Sequence, residues 1–279
     1  MFYMKQLNFK NISLYFLALL FVACGEYNNI LKSTDLDVKF AYAKKYFDEG
    51  RYGRTATLLE DVVQMSRSTS RGEEALYLLA QSNYKMKDYS TASQYFQSYY
   101  NTYPRGEYAE LARFYSAYGL YLDSPDARLD QSDTYRSMEQ FQDFIEKYPQ
   151  SEKKEEAQNI LFELQEKLAL KELYAVRLYY NLGDYSIISF PGGNYLSCVI
   201  TAQTAIQSYP YSKYREEFMY YMFKAKYEMA IRSVEEKKEF RYRDVVDEYF
   251  AYANEFSDGK NFREVKRLYE NIDKELKKQ

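Results

Sequence analysis

Apolar positions recur with helical spacing through most of the chain. In five places a small or branched residue is followed four positions later by a large one: Ala43/Phe47, Ala80/Tyr84, Ala117/Tyr121, Val176/Tyr180 and Ala225/Met229. Four-residue spacing puts both members on one helical face. A second set of landmarks follows each pair. Tyr89 stands 15 positions before Pro104, Tyr195 before Pro210 and Thr134 before Pro149. Tyr52 and Arg67, and Tyr242 and Ser257, keep the spacing without the proline. Between these landmarks small and large positions alternate in register: Ala92 and Phe96, Ser137 and Phe141, Cys198 and Ala202, Val245 and Tyr249. The chain then restarts alike, with Arg-Gly-Glu-Glu-Ala at 71–75, Lys-Glu-Glu-Ala at 154–157 and Arg-Glu-Glu-Phe at 215–218. Paired glutamates in a first turn suit the positive end of the helix dipole. The pattern predicts helix pairs repeated along the chain, and no strands.

Helix-turn-helix units with small residues where helices touch are the tetratricopeptide pattern. The expected fold is all-α, a helical solenoid of about five repeats near 35–69, 70–106, 107–151, 152–212 and 213–259. A polar helix over 261–277 closes it, because the last helix of a solenoid needs a polar outer face. The spacing is irregular, so some helices are long and some loops carry insertions. Residues 152–182 read as one helix of roughly 45 Å at 1.5 Å per residue. A loop from Asp123 to Asp133 separates the helices of the third repeat. Residues 186–194 are an insertion, expected as an exposed, mobile loop, since Phe190-Pro191-Gly192-Gly193 cannot continue a helix.

The first residues form a different pattern. Lys5 and Lys10 precede an apolar run from Ile12 to Ala23, too short for a bilayer span of about 20 residues and suited to a signal-peptide core. Phe21-Val22-Ala23-Cys24-Gly25 follows directly and resembles a bacterial lipobox, with Phe in place of the usual Leu. Residues 1–23 are then a cleaved lipoprotein signal peptide, Cys24 the lipid attachment site and 24–34 a tether. Several acyl chains on one cysteine anchor a protein lastingly.

Composition removes most chemistry. The chain of 279 residues has no His and only two Cys. Ser-His-Asp and Cys-His catalysis and His-ligated zinc are therefore excluded. No catalytic residue, metal or cofactor is expected beyond the covalent lipid, and the protein is not read as an enzyme. A net charge of −3 with both signs mixed gives no sign of nucleic-acid binding. Cys198, between Leu196 and Val199, is expected as a small buried helix residue. The 34 tyrosines have two readings: inter-helix packing with hydroxyls near water, or a stripe lining a binding face.

The lipoprotein signal, the repeats and the length together resemble the BamD family, lipoproteins of the outer-membrane β-barrel assembly machine. The stretches Glu26 to Asp35, Tyr121-Leu122-Asp123-Ser124-Pro125 with Leu129-Asp130-Gln131, and Ser233 to Lys238 are similar to its Bacteroidetes form. The resemblance implies a periplasm-facing scaffold on the outer membrane. Its C-terminal repeats would bind the POTRA region of a BamA-like barrel-forming subunit, here through Glu235, Lys237, Lys238, Arg241 and Arg243. Its N-terminal repeats would engage unfolded outer-membrane proteins, here through Tyr42, Tyr46, Tyr77 and Tyr84. Two alternatives remain open: a generic periplasmic tetratricopeptide adaptor lipoprotein, and a glycan-binding surface lipoprotein. The total absence of Trp counts against the second.

Overall fold

A computed structural model describes residues 26–67, 69–185 and 193–278. Among them there is no strand. The helices are α1 (26–31), α2 (Leu36–Asp48), α3 (Tyr52–Met65), α4 (Ser70–Lys85), α5 (Tyr89–Thr102), α6 (Ala109–Asp123), α7 (Ser132–Lys147), α8 (Lys154–Leu182), α9 (Gly193–Ser208), α10 (Arg215–Ile231), α11 (Glu235–Glu255) and α12 (Phe262–Leu276). The all-helical, tetratricopeptide-like expectation holds. Cys24, the signal segment and residues 186–192 of the insertion lie outside the described residues.

Local chemistry sets the helix boundaries. Asp35 Oδ1 caps α2 by accepting from the Asp37 and Val38 amides at 2.9 and 3.2 Å. The Thr69 hydroxyl accepts from Gly72 N at 3.1 Å, and Asp88 Oδ1 from Thr91 N at 3.2 Å. Side-chain acceptors of this kind satisfy amides that a helix start leaves without partners. Three first helices end in the left-handed region: Gly50 (φ 73°) after α2, Lys87 (φ 64°) after α4 and Gly183 (φ 52°) after α8. Each lies three residues beyond the large landmark Phe47, Tyr84 or Tyr180, at the place that helices commonly fill with glycine.

The chain divides into two compact units. Unit 1 is Met1–Asp123 with Tyr135–Ala157. Within it α2 to α6 pack each on the next. Ala43, Ala80 and Ala117, the small landmark residues, are fully buried. Leu58, Leu59, Val62 and Leu79 fill one core cluster, and Ala92, Phe96, Tyr99 and Ala112 fill another. At the α5–α6 crossing the Ser93 hydroxyl donates to the Ser116 carbonyl at 2.8 Å. A Cβ on Gly119 would stand 2.8 Å from the Tyr89 carbonyl, so only glycine permits that approach.

Unit 2 is Ser124–Thr134 with Gln158–Gln279. Here α9, α10, α11 and α12 pack in succession. Residues 152–182, expected as one helix, form α8 from Lys154 onward. Leu173, Val176, Cys198, Ala202, Phe218 and Ala225 share a core. Cys198 is fully buried, and desolvation pushes its thiol up to about 12, which makes it a packing residue. Asn194 at the start of α9 donates from Nδ2 to the Gly183 and Tyr185 carbonyls at 3.1 and 2.7 Å. The expected final helix is α12, with Val265 and Ile272 buried.

The loop after α6 is a built structure. Gln131, almost fully buried, donates from Nε2 to the Asp126 and Leu129 carbonyls at 2.8 and 3.1 Å and accepts from Thr134 at 2.8 Å. Arg128 lies 4.7 Å from the Tyr174 ring centroid on α8. Lys167 of α8 donates to Ser124 Oγ at 2.6 Å.

Candidate interaction surfaces

The segment after Cys24, expected as a tether, carries α1. Ile30 is buried in the first core with Ala43 and Tyr46. Tyr27 stands edge-on to Tyr46 at 5.9 Å, with Arg54 over its ring at 4.9 Å.

The four tyrosines singled out for client binding are drawn into packing to different degrees. Tyr46 is 3% exposed. Tyr42 donates its hydroxyl to Glu26 at 3.0 Å, and that bond raises its pKa. Tyr77 stacks on Tyr108 at 4.1 Å and meets Phe96 and Tyr99 edge-on. Tyr84 is in ring contact with Tyr89, Tyr115 and Tyr118, and burial pushes its phenol up to about 12. The structure brings together Tyr42 and Tyr46, whose centroids are 6.2 Å apart. It places Tyr77 and Tyr84 in an aromatic ladder shared by α4, α5 and α6.

The charged group on α11 is also divided. Glu235, Lys237 and Arg243 are exposed. Lys238 pairs with Glu235 at 2.9 Å and Arg243 with Glu239 at 2.5 Å. Arg241 has a different role. Its guanidinium donates to the Met229 carbonyl at 2.9 Å and to Ser233 Oγ at 2.8 Å, closing the end of α10. Beside these charges Phe240 is 76% exposed and Val234 63%. Neither follows from the repeat pattern: Val234 stands in the turn before α11, and Phe240 lies off the inward face marked by Tyr242, Val245 and Tyr249. Exposed large apolar residues rimmed by charge are the composition of a protein-binding patch.

The paired glutamates hold a second feature that the dipole argument missed. Glu73 Oε1 accepts from the Tyr99 hydroxyl at 2.7 Å and from Glu107 N at 3.0 Å. Glu216 Oε1 accepts from the Tyr252 hydroxyl at 2.7 Å and from Asn261 N at 3.1 Å. Burial first, then the carboxylate, raises both phenols well above their ordinary range. A Cβ on Gly106 or Gly259 would collide with the respective carboxylate. A Glu–Tyr–Gly lock therefore recurs in the second and fifth repeats. The sequence held its signal: Tyr99 and Tyr252 each stand ten positions after the landmark tyrosines Tyr89 and Tyr242.

Residues 34–241 match the family YfiO, described as outer membrane lipoprotein. The chain belongs to the YfiO family. This is the family of BamD, a non-enzymatic lipoprotein family associated with the outer membrane. The YfiO match spans the four tyrosines and the α11 charges up to Arg241, and leaves Cys24, Arg243 and α12 outside it. No curated protein matches the chain. Among the described residues no helix is long and apolar enough to cross a membrane, and no group of three or more His, Cys, Asp or Glu is placed to hold a metal ion.

Proposed function

We propose that this protein is a scaffold of outer-membrane β-barrel assembly, held at the periplasmic face of the outer membrane by lipid on Cys24. It binds the POTRA region of a BamA-like barrel-forming subunit and receives unfolded barrel proteins. It carries out no catalysis and takes no nucleic acid or further cofactor. The observation that carries this reading is the YfiO match over 34–241.

The surfaces support a division of labour. Exposed Val234 and Phe240 stand among the charges of Lys237 and Arg243 along the start of α11, a mix of apolar anchors and charge that suits a protein interface. It is the surface for the barrel-forming subunit. The Tyr42–Tyr46 pair and, separately, the aromatic ladder about Tyr77 and Tyr84 offer rigid rings to an extended client at low entropy cost. Cys24 stands two positions before Glu26, the first described residue, so a lipid on Cys24 holds the start of α1 within about 7 Å of that cysteine even where the chain is fully extended.

Depletion tests the reading. Removing the protein from its own cell should lower folded β-barrel proteins in the outer membrane. Unchanged levels after complete depletion would sink the assembly role.

A further inference from the structure

Unit 2 contains a surface cleft of about 690 Å³. One wall is Phe162, Glu166 and Lys167 of α8. The others are the loop at Ser124–Ala127 and the turn holding Tyr211 and Tyr214. Within the α8 wall Glu166 is only 8% exposed. Glu166 Oε1 accepts from Lys213 N at 3.3 Å. Its Oε2 is buried and meets no donor among the described residues. Neighbouring ammonium groups are engaged elsewhere: Lys167 donates to Ser124 Oγ at 2.6 Å, and Lys213 lies 5.1 Å from the Tyr214 ring centroid. A buried acceptor without a donor carries the full cost of its desolvation.

The other repeats show what is missing. Glu73 accepts from the amide one residue after Gly106 and from the Tyr99 hydroxyl. Glu166 accepts from the amide one residue after Ser212, the matching turn position. In the second and fifth repeats the tyrosine donor stands ten residues after the landmark, as Tyr99 after Tyr89 and Tyr252 after Tyr242. Ten residues after Tyr195 stands Ala205, almost fully buried. The fourth repeat supplies its carboxylate from the middle of α8, not from the restart glutamates at 155 and 156, and has alanine where the other two repeats place the phenol.

We propose that this cleft binds a tyrosine side chain of a partner polypeptide, whose hydroxyl donates to Glu166 Oε2. Such a phenol supplies from outside the bond that Tyr99 and Tyr252 supply from within. Phe162, 51% exposed, and Tyr211, 88% exposed, give the incoming ring and its neighbours apolar surface. The cleft is larger than one ring, so residues on either side of the tyrosine fit along it. Lys167 ties the loop to α8 and Gln131 braces it, so the backbone of the walls is preformed; Oε2 itself is closed to solvent, so the incoming phenol displaces the side chain that covers it. The site stands on the geometry of unit 2 alone, and its test uses no assembly component.

The chain has no Trp, so excitation at the red edge of indole absorption reports only a Trp-tagged peptide. The probes are acetyl-Ala-Tyr-Ala-Trp-amide and its Phe and Arg counterparts, titrated into the full mature chain. The Tyr peptide should saturate at one per chain and bind about tenfold tighter than the Phe peptide, as a charge-assisted hydrogen bond warrants. Glu166→Ala should erase that difference. The double variant Phe162→Ala/Tyr211→Ala, at exposed positions, should weaken the Tyr peptide severalfold with the helical signal unchanged. Equal binding of Tyr and Phe peptides overturns the proposal. So does a preference that survives Glu166→Ala, an Arg peptide that binds tightest, or p-cresol binding as tightly as the peptide.

Discussion

A carboxylate held between a phenol and a backbone amide costs little to bury and much to disrupt. Glu73 and Glu216 each tie the first helix of a repeat to its second helix and to the turn that follows. Replacing either by Ala strands a tyrosine hydroxyl and an amide, so we expect a loss of about 1–3 kcal/mol in urea denaturation. A loss below a few tenths would mean that the lock contributes nothing. The phenols make a second prediction. Burial is the largest cause raising Tyr77, Tyr84, Tyr95, Tyr99, Tyr180 and Tyr252, with Tyr84 pushed up to about 12. An unfolded tyrosine titrates near 10. The folded state therefore holds these protons longer, and its advantage is complete below about pH 10 and lost as pH climbs toward each folded value. Alkaline titration followed by phenolate absorbance and helical ellipticity should show the buried set ionising together with helix loss, above pH 10. All phenols titrating near 10 with the helices intact would contradict this. The tyrosine positions were legible because they coincide with repeat landmarks. The ten-residue offset from Tyr89 and Tyr242 marks which tyrosines form the lock, but their carboxylate partners were not legible, because Glu73 stands 26 positions before Tyr99 and hydropathy spacing does not pair polar groups across helices.

At the scale of elements, two sites separate local architecture from surface. Lys87 takes a left-handed conformation where α2 and α8 are followed by Gly50 and Gly183. Lys87→Gly should relieve that strain and raise stability by about 0.5–1 kcal/mol, read as a shift of the thermal midpoint; a fall in midpoint would contradict it. On α11 the charges have unequal roles. Reversing Lys237, Lys238 and Arg243 to Glu should reduce the barrel subunit recovered with the protein while the thermal midpoint stays in place. Arg241→Glu should lower the midpoint, because it removes the donor to Met229 and Ser233. Full recovery of the subunit with the triple variant would remove this patch from the account. The helices themselves were readable, since small-to-large pairs such as Val176/Tyr180 fix both register and face. The order in the loop at 124–131 was not, because it comes from Gln131 bonding across the turn and Arg128 reaching Tyr174 on α8, which no hydropathy pattern encodes.

For the molecule as a whole, the repeats define a scaffold and the family match gives it a place at the outer membrane. Cys24→Ser should release the protein into the soluble fraction, and retention at the wild-type level would refute lipid anchoring there. The proposed assembly role comes only through resemblance: helix pairs of this kind serve many partners, and no single residue here names one. The most direct measurement is purification of the tagged protein from its own membranes in mild detergent, followed by quantitative mass spectrometry. We expect a large β-barrel protein with periplasmic repeat domains to be recovered near one to one. Efficient recovery of the tagged protein with no such subunit would contradict it.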